Sequence, residues 1–315
     1  MDPVISVVVA TCDRPERLRR LLAALRAQDL GGDRFEVIVV DDGLSGETSK
    51  LLDRERAAGD LSVHASRTEG RRGPARARNV GWRLAAAPLV AFTDDDCVPS
   101  SRWLTAGLAR AEEFPGAIVQ GPTEPDPSEL GNVSVFSRTI RQAQLGPHYE
   151  TCNIFYPRAL LERLGGFDES FGARSEGEDT DLAWRALGSG GTSVFAPDAR
   201  VLHAVEDVGP LRTLRLATRW TSCVRLLAEY PQTRVMLERG VFWNVWHYML
   251  LRCILATFGP RWLRRVLVIR YLRAMRVRGR GLGAGLWSVP FLILHDAVET
   301  AAIIQGAVRY RTLAL

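Results

Sequence analysis

The chain has 315 residues, which is enough for one large domain with its own core, or for one domain and an appendage. Hydrophobic residues make up 46% and charged residues 24%, and these ordinary globular values exclude a disordered or collagen-like chain. The formal charge of +5 is unevenly distributed: residues 211–315 hold 17 arginines and four acidic residues, a charge of +13, which leaves −8 for residues 1–210.

Short β-rich runs alternate with helical patterns through the first half of the chain. The strands are predicted over residues 5–10, 35–40, 62–65, 89–93 and 117–121, and the helices over residues 15–28, 46–59 and 75–87. This alternation predicts an α/β fold with a mostly parallel sheet flanked by helices. In such sheets ligands bind beyond the carboxyl ends of the strands.

The alternation of strand and helix patterns stops over residues 130–149, which are predicted to form a polar connector. A strand over residues 151–155 and a short helix over residues 158–164 follow. The acidic stretch 176–181 then leads into a helix over residues 182–187, and strands over residues 193–196 and 201–203 end the acidic part of the chain.

Acidic residues follow three of the predicted strands. The clusters are Thr11-Cys12-Asp13, Asp41-Asp42-Gly43 and Asp94-Asp95-Asp96. A single aspartate after a strand is most often a turn or cap residue. Three acidic clusters at neighbouring strand ends would repel one another unless a cation or hydrogen-bond donors lie among them, so together they favour a functional site.

The Asp94-Asp95-Asp96 cluster has the chemistry of a divalent metal site. Mg²⁺ and Mn²⁺ prefer carboxylate oxygens together with phosphate oxygens and water. The sequence therefore predicts a metal ion that neutralises a diphosphate.

Two further features are open to two interpretations each. Glu178 and Asp179 open a predicted helix, where they either complement the helix dipole or include a general base for an acceptor hydroxyl. His203 follows a short strand, and is either a further metal ligand or an ordinary half-buried histidine.

These residues lie in a recognisable ordered series. The segments are VISVVVATCDRPERL, FEVIVVDDGLS, GPARARNVGW, PLVAFTDDDCVP, LERLGGFDESF and GEDTDLAWR. Together they resemble family-2 glycosyltransferases of the GT-A fold over roughly residues 4–205, with a basic C-terminal extension beyond the resemblance. The resemblance implies an inverting transfer of a sugar from a nucleoside diphosphate sugar, UDP-sugars being favoured, with one Mn²⁺ or Mg²⁺.

The resemblance also implies roles for individual residues. The nucleotide-sugar contacts would be Thr11, Asp13, Asp41, Asp42, Arg78, Asp94 and Asp95, with Arg72 as the alternative to Arg78. The metal ligands would be Asp96 and Asp94, with His203 as a further ligand. Asp179 would be the catalytic base with Glu178 supporting it, whereas Asn79 is expected to cap or pack its helix.

The domain boundary is expected near residue 210. Residues 1–210 would form the GT-A catalytic domain, with a nucleotide-sugar half over about 1–121 and an acceptor half over about 122–210.

Residues 211–315 would form a helical, basic extension. Its apolar stretches 241–258, 261–280 and 286–294 fall short of the roughly 20 uninterrupted apolar residues of a membrane span, and their arginines favour the surface of an anionic membrane.

Alternatives for this extension are packing on the catalytic domain, a homo-oligomer interface, and a re-entrant or spanning segment. A peripheral position on the inner face of the cell membrane would suit a glycan or lipid-linked acceptor in cell-surface polysaccharide or glycolipid assembly. The five cysteines include no CxxC pair and the N-terminus shows no secretory signal, so the sequence favours a reducing, cytoplasmic location.

The sequence disfavours three other functions. A nucleotidyltransferase usually carries a glycine-rich turn near its first strand, but ATCDRPER contains no glycine. A nucleic-acid-binding tail is less favoured, because its aromatic and aliphatic residues suit lipid and no nucleic-acid motif is present, so no nucleic-acid partner is expected. A catalytically inactive relative that serves as an assembly partner, bound to nucleic acid or membrane, is disfavoured by the intact DDD and GED clusters.

Overall fold

The computed structural model describes residues 2–172, 176–282 and 284–315. Within these ranges the chain divides into two compact units. The first unit comprises residues up to 127, residues 139–172 and residues 178–204. The second comprises residues 128–138, residues 176 and 177, and the described residues from 205 onward.

The secondary structure follows the predicted alternation. The strands are β1 (Ile5–Thr11), β2 (Phe35–Asp41), β3 (Val63–Arg67), β4 (Leu89–Asp94), β5 (Cys97–Pro99), β6 (Ile118–Gln120), β7 (Thr123–Pro125), β8 (Ser137–Arg138), β9 (Ile154–Pro157), β10 (Ser193–Phe195), β11 (Val201–His203) and β12 (Glu206–Asp207). The helices are α1 (Pro15–Arg26), α2 (Gly46–Ala58), α3 (Pro74–Leu84), α4 (Trp103–Glu113), α5 (Arg158–Leu164), α6 (Glu178–Gly188), α7 (Gly209–Ala217), α8 (Trp220–Glu229), α9 (Val245–Leu255), α10 (Arg261–Gly281) and α11 (Ser288–Arg309).

A seven-stranded sheet forms the centre of the first unit, in the order β10-β6-β9-β4-β1-β2-β3. Strands β4, β1, β2 and β3 are parallel, whereas β9 runs antiparallel to both β4 and β6. Strands β1 and β2 are almost continuously buried, as expected of parallel strands covered on both faces. The prediction of a mostly parallel sheet flanked by helices is confirmed.

Helix α1 shows how the sequence specifies these layers. Pro15 occupies its first turn, where its missing N–H has no intrahelical partner to lose. Leu18, Leu21, Leu22 and Leu25 recur at helical spacing and are all buried in the core beneath the sheet.

The structure departs from the predicted elements where strands are very short. Residues 151–153, predicted as strand, form a 3₁₀ turn, and β9 begins only at Ile154. Strands β5, β11 and β7 form a separate three-stranded sheet, and of these only β11 was predicted. Three-residue strands carry too little alternation to be recognised from sequence.

The second unit contains α7–α11 and has its own apolar core. Gly306 lets α11 approach α8 closely, since a Cβ there would lie 2.7 Å from the Thr221 carbonyl oxygen. Acidic side chains of α11 are buried against polar partners: Tyr271 and Arg278 donate to Asp296 at 2.8 and 2.7 Å, and the Trp220 indole donates to Glu299 at 2.9 Å.

Helix α11 is the one described helix whose length and apolar composition would suffice to cross a membrane. The sequence predicted no such helix, because its apolar run ends at His295-Asp296. The structure differs because the helix continues beyond these residues to Arg309.

Gly81 sets the distance between α3 and the sheet. A Cβ at this position would lie 2.4 Å from Val8 Cγ1 and 3.3 Å from Val40 Cγ2. We expect Gly81→Ala to lower the free energy of unfolding by about 1–3 kcal/mol, because overpacking outweighs the gain in helix propensity. Urea denaturation measures this change. Gly188→Ala, whose Cβ meets nothing within 4 Å, is the control, and equal stability of the two variants would contradict the account.

Candidate functional site

The acidic clusters meet at one edge of the central sheet. In the parallel register, Thr11 of β1 pairs with Asp41 of β2, and Ala10 of β1 pairs with Asp94 of β4. The carboxyl ends of three neighbouring strands therefore place their polar side chains side by side. This confirms the predicted position of the clusters, at the edge where α/β sheets bind ligands.

Asp42 is buried, and it organises the loop before α3. Its Oδ1 accepts hydrogen bonds from the Thr68 hydroxyl and from the Arg72 N–H at 2.8 Å, and its Oδ2 accepts from the Gly73 N–H at 2.8 Å. Among the described residues Oδ2 has only this one donor, and a carboxylate oxygen can accept two. Asp42 therefore holds the loop in place, and its Oδ2 keeps one lone pair that could accept a hydrogen bond from a ligand.

The neighbouring Asp41 is buried with only part of its hydrogen-bonding capacity used. Its Oδ1 accepts from the Gly43 N–H at 2.8 Å, whereas Oδ2 has no partner among the described residues. Burial raises the pKa of Asp41, although the Gly43 N–H opposes this shift. An unpartnered buried acceptor at this edge is suited to an N–H or O–H of a ligand.

Asp13 holds the loops around the strand ends. Its backbone is left-handed (φ 56°), and its Oδ1 accepts from the backbone N–H groups of Leu44 and Ser45 at 3.0 and 2.8 Å. The Ser45 N–H, followed by the Arg71 guanidinium that contacts Oδ2, lowers the pKa of Asp13. A Cβ at Gly43 would lie 2.4 Å from Asp13 Oδ1, so this approach requires glycine.

Asp95 points into the protein. Its side chain is 7% exposed, accepts from the Thr11 hydroxyl at 2.8 Å, and lies 3.4 Å from Arg14 Nη1. Burial raises the pKa of Asp95 to about 7, although Arg14 opposes the shift. Thr11 and Asp95 are thus hydrogen-bonded to each other. Their direct contact with a nucleotide stays a prediction.

The raised pKa of Asp95 makes stability depend on pH. Because the folded protein binds this proton more tightly than the unfolded chain, where aspartate titrates near 4, the free energy of unfolding should fall as pH rises from about 4 to about 7. Asp95→Asn should flatten that slope. Melting temperatures of the metal-free protein across this range provide the measurement, and an unchanged slope in the variant would rule the explanation out.

Asp96 and His203 face each other beside this strand end. His203 Nε2 lies 3.6 Å from Asp96 Oδ1, and Nδ1 lies 2.9 Å from the Ala204 carbonyl oxygen. Because a carbonyl can only accept, Nδ1 donates to Ala204, and Nε2 is directed toward the Asp96 carboxylate. A carboxylate oxygen and an imidazole nitrogen that face each other are a donor set that suits Mn²⁺.

Cys97 is the third member of this cluster. The potential ligand atoms of Asp96, Cys97 and His203 all lie within 4.8 Å of one another. Complete burial raises the pKa of Cys97 well above its usual range, so the sulfur remains a thiol and a poor ligand. Asp94, which the sequence also predicted as a ligand, is not in this cluster and instead pairs with Arg78 at 2.8 Å.

Arg14 is the site residue that sequence reasoning missed. Its Nη1 lies 2.9 Å from Asp96 Oδ2 and 3.4 Å from Asp95 Oδ1, so one guanidinium bridges the two carboxylates. Arg14 therefore supplies positive charge where the sequence predicted a metal ion. The signal was its place in Cys12-Asp13-Arg14-Pro15, directly beyond the end of β1.

We expect Arg14→Gln to strengthen Mn²⁺ binding by about tenfold, because the guanidinium repels a second cation and occupies an oxygen of Asp96. Titration of free Mn²⁺ followed by electron paramagnetic resonance measures the affinity. Arg19→Gln on the exposed side of α1 is the control, since Glu16 is the ion-pair partner of Arg19 among the described residues. Weaker Mn²⁺ binding by Arg14→Gln would contradict this prediction.

Arg78 connects two motifs that are far apart in sequence. Its Nη2 donates to Asp94 Oδ1 at 2.8 Å and its Nη1 to Glu178 Oε1 at 2.9 Å, across 100 residues in the second case. Burial opposes its charge, but Asp94 and Glu178 outweigh this effect and raise the pKa of Arg78. The guanidinium thus links the aspartate cluster after β4 to the start of α6.

Asp179 follows Glu178 in the first turn of α6. Its Oδ1 accepts from the Thr180 N–H at 2.8 Å. Burial and the adjacent Glu178 carboxylate raise the pKa of Asp179 well above its usual range, while Arg78 opposes them. A raised pKa is what a carboxylate base that accepts a proton near neutral pH requires.

Two residues beside this network have structural contacts. Asn79 donates to the Phe167 carbonyl and to Glu169, and accepts from the Trp82 indole, which confirms that it packs α3. Arg72 donates its Nε to the Glu69 carbonyl and lines an open cleft of about 740 Å³ with several other arginines. It stays the alternative to Arg78 as a nucleotide-sugar contact.

The fold is shared with known glycosyltransferase structures. The mannosyltransferase PcManGT from Pyrobaculum calidifontis, in complex with GDP-Man and Mn²⁺, superposes with a TM-score of 0.63 over 99% of this chain and 88% of its own, at 20% identity. TarS 1–349 from S. aureus, in complex with UDP-GlcNAc, superposes with a TM-score of 0.55 over 98% of this chain and 92% of its own, at 18% identity. The first unit therefore has the GT-A fold.

The sequence family is equally clear. The family described as glycosyl transferase family 2 matches residues 6–165, half of the chain, and glycosyl transferase family group 2 matches residues 128–298. The chain belongs to glycosyl transferase family 2. The resemblance extends past residue 205, where the recognised motifs end, and into the C-terminal helices.

Among curated relatives, the validoxylamine A glucosyltransferase of Streptomyces hygroscopicus subsp. limoneus is 26% identical over 282 residues, which cover 77% of this chain and 61% of the relative. The chain thus spans about three-fifths of the length of that protein.

Proposed function

We propose that the chain is a metal-dependent, inverting glycosyltransferase that moves a sugar from a nucleoside diphosphate sugar to an acceptor hydroxyl. The observation that carries this proposal is the Arg78 bridge between Asp94 and Glu178. It joins the candidate metal and nucleotide edge to the candidate base in one unit. Membership of a glycosyltransferase family favours sugar transfer over nucleotidyl transfer.

The donor would bind across the ends of β1, β2 and β4. The unpartnered Oδ2 of Asp41 and the spare lone pair of Asp42 are acceptors for N–H groups of the base. Asp13, Thr11 and Asp95 hold the strand ends in place. UDP is the favoured nucleotide; the two structural neighbours are in complex with GDP-Man and with UDP-GlcNAc.

Asp96 and His203 would hold the divalent cation, as Mn²⁺ or Mg²⁺, with Asp94 close to the donor ribose. The bound cation supplies positive charge that stabilises the departing diphosphate. Arg78, which donates to Asp94, adds a fixed buried positive charge.

Asp179 would take the proton from the acceptor hydroxyl as that oxygen attacks the anomeric carbon from the face opposite the diphosphate. One displacement inverts the configuration and needs no covalent intermediate. Glu178, held by Arg78, keeps the start of α6 in position and raises the basicity of Asp179.

The setting of the reaction forms part of the proposal. Residues 1–210 would carry catalysis and residues 211–315 would hold the enzyme on the cytoplasmic face of an anionic membrane, where a glycan or lipid-linked acceptor is elongated during cell-surface polysaccharide or glycolipid assembly. The arginine-rich, partly apolar α10 supports this setting. Self-association through these helices is the alternative.

Donor hydrolysis tests the reaction without knowledge of the acceptor, because water replaces the acceptor hydroxyl. The protein is incubated with UDP-, dTDP-, GDP- and CDP-sugars and Mn²⁺, and nuclear magnetic resonance follows the first product formed. Release of a β-sugar from an α-linked donor supports an inverting transferase. Initial release of the α-sugar would contradict inversion, and release of a nucleoside monophosphate would indicate a different reaction.

A further inference from the structure

A small basic pocket lies between α9 and α10 in the second unit. It encloses about 210 Å³, and its apolar wall is formed by Val245, Met249 and Leu267. The remaining lining residues are Arg239, Tyr248, Arg252 and Arg270. No role assigned to the sheet edge involves these residues.

Tyr248 fixes two of the arginines. The guanidinium carbon of Arg239 lies 4.3 Å from the Tyr248 ring centroid and that of Arg252 lies 5.1 Å from it. Arg239 Nη1 also donates to the Tyr248 hydroxyl at 3.2 Å. A guanidinium over a ring interacts through its face, so the N–H groups of Arg252, and those of Arg239 that do not donate to Tyr248, remain available to an anion.

The pocket carries a net positive charge. Glu238 lies beside it, with its Oε1 3.8 Å from Arg239 Nε. Within the part of the chain that the structure describes, Arg252 and Arg270 on the pocket wall form no ion pair. Three guanidiniums around one cavity form a recognition site for a phosphate group, which accepts paired hydrogen bonds from arginine.

The surface next to the pocket is apolar and exposed. At the turn between α9 and α10, Phe258 is 89% exposed and Trp262 is 67% exposed. Val266 and Ile269 continue from Trp262 at spacings of four and three, so the three side chains form one outward stripe of α10. An anion site beside an aromatic and aliphatic stripe suits an amphiphile with a phosphate headgroup.

We propose that this pocket binds the phosphate headgroup of an anionic phospholipid at a bilayer surface, while the Trp262 stripe enters the interfacial layer. The inference rests on the proposed membrane setting. It assigns recognition of the lipid headgroup to one pocket and not to the total charge of the helices. A free soluble phosphate would satisfy the guanidiniums but would leave the apolar stripe in water, which favours the lipid.

Vesicle binding by the full chain tests this site. The pocket variant combines Arg239→Gln, Arg252→Gln and Arg270→Gln. The control variant combines Arg264→Gln, Arg265→Gln and Arg276→Gln, which removes the same charge from α10 positions outside the pocket. Co-sedimentation is measured with phosphatidylcholine vesicles, with and without phosphatidylglycerol, for variants whose melting curves match the unmodified protein.

We expect the pocket variant to lose at least about tenfold more affinity for phosphatidylglycerol vesicles than the control variant, since paired guanidinium–phosphate hydrogen bonds add to the attraction of charge alone. Equal losses of vesicle affinity in the two variants would overturn the proposal, because they would show that only the total positive charge attracts the chain to the membrane. Calorimetric binding of inorganic phosphate or sn-glycerol 1-phosphate without vesicle binding would also overturn it in favour of a soluble ligand.

Nucleoside diphosphate binding, measured on the same preparations, separates this site from catalysis. If the unmodified chain binds a nucleoside diphosphate but neither kind of vesicle, the lipid site is wrong and the transferase proposal stands. If it binds anionic vesicles but no nucleoside diphosphate, the transferase proposal fails and the lipid site survives.

Discussion

Asp179→Asn should lower the rate of sugar transfer by about 10³-fold while leaving nucleoside diphosphate binding unchanged, because general-base catalysis contributes about 10²–10⁴ to a rate. The substitution keeps the shape of the side chain and removes its basicity. The donor edge at β1, β2 and β4 contains no atom of Asp179, so the donor affinity has no reason to fall. Steady-state rates and calorimetry on the same protein measure the two effects.

Asp181→Asn is the matched control for this prediction. Asp181 lies two residues further along α6, is also buried, and pairs with Arg185 at 2.8 Å. Its replacement can weaken the helix but removes no candidate base. If Asp181→Asn lost as much activity as Asp179→Asn at equal stability, the role given to Asp179 would be wrong.

The second large effect is expected at the metal site. Asp96→Ala should weaken Mn²⁺ binding by about 100-fold, since it removes the carboxylate that faces His203 Nε2. His203→Gln should weaken it by about tenfold, because one neutral ligand is lost. Electron paramagnetic resonance of free Mn²⁺ measures both affinities.

The exposed Asp33→Ala serves as the control for loss of one negative charge. Its Mn²⁺ affinity should equal that of the unmodified protein. The comparison with Arg14→Gln is informative because the expected signs are opposite: loss of the carboxylate weakens the site and loss of the guanidinium strengthens it. Unchanged Mn²⁺ affinity in Asp96→Ala would contradict the proposal of a metal site at the end of β4.

The sheet and its acidic edge could be predicted because the signals are local. Strands β1, β2 and β4 are largely apolar runs that each end in polar residues, and parallel pairing brings such ends together. The Leu18–Leu25 pattern likewise predicts the buried face of α1 without any knowledge of the sheet.

Contacts between distant segments could not be predicted in the same way. The place of Arg14 directly beyond β1 indicates that it lies at this edge of the sheet. It does not indicate that its guanidinium bridges Asp95 and Asp96, because that contact depends on the register of β1 and β4. The Arg78 bridge to Glu178 has the same origin. The three aspartates look equivalent in sequence, yet one points to Arg78, one is buried against Thr11 and one faces His203.

The second unit shows that amino-acid composition alone does not predict where a helix ends. The composition of residues 211–315 predicts helices rich in arginine, and α10 agrees, but no apolar stretch of the sequence reaches the length of a membrane span. Helix α11 passes through His295, Asp296 and Glu299, which interrupt the apolar run in sequence. In the folded unit the two acidic side chains find buried donors, so the helix continues.

Calorimetric binding of UDP, dTDP, GDP and CDP, with and without Mn²⁺, to the unmodified protein and to Asp96→Ala is the most direct test of the donor site. We expect that one diphosphate binds, that its binding requires Mn²⁺, and that Asp96→Ala abolishes this binding. Binding of no diphosphate under any condition, or metal-independent binding that survives Asp96→Ala, would contradict it.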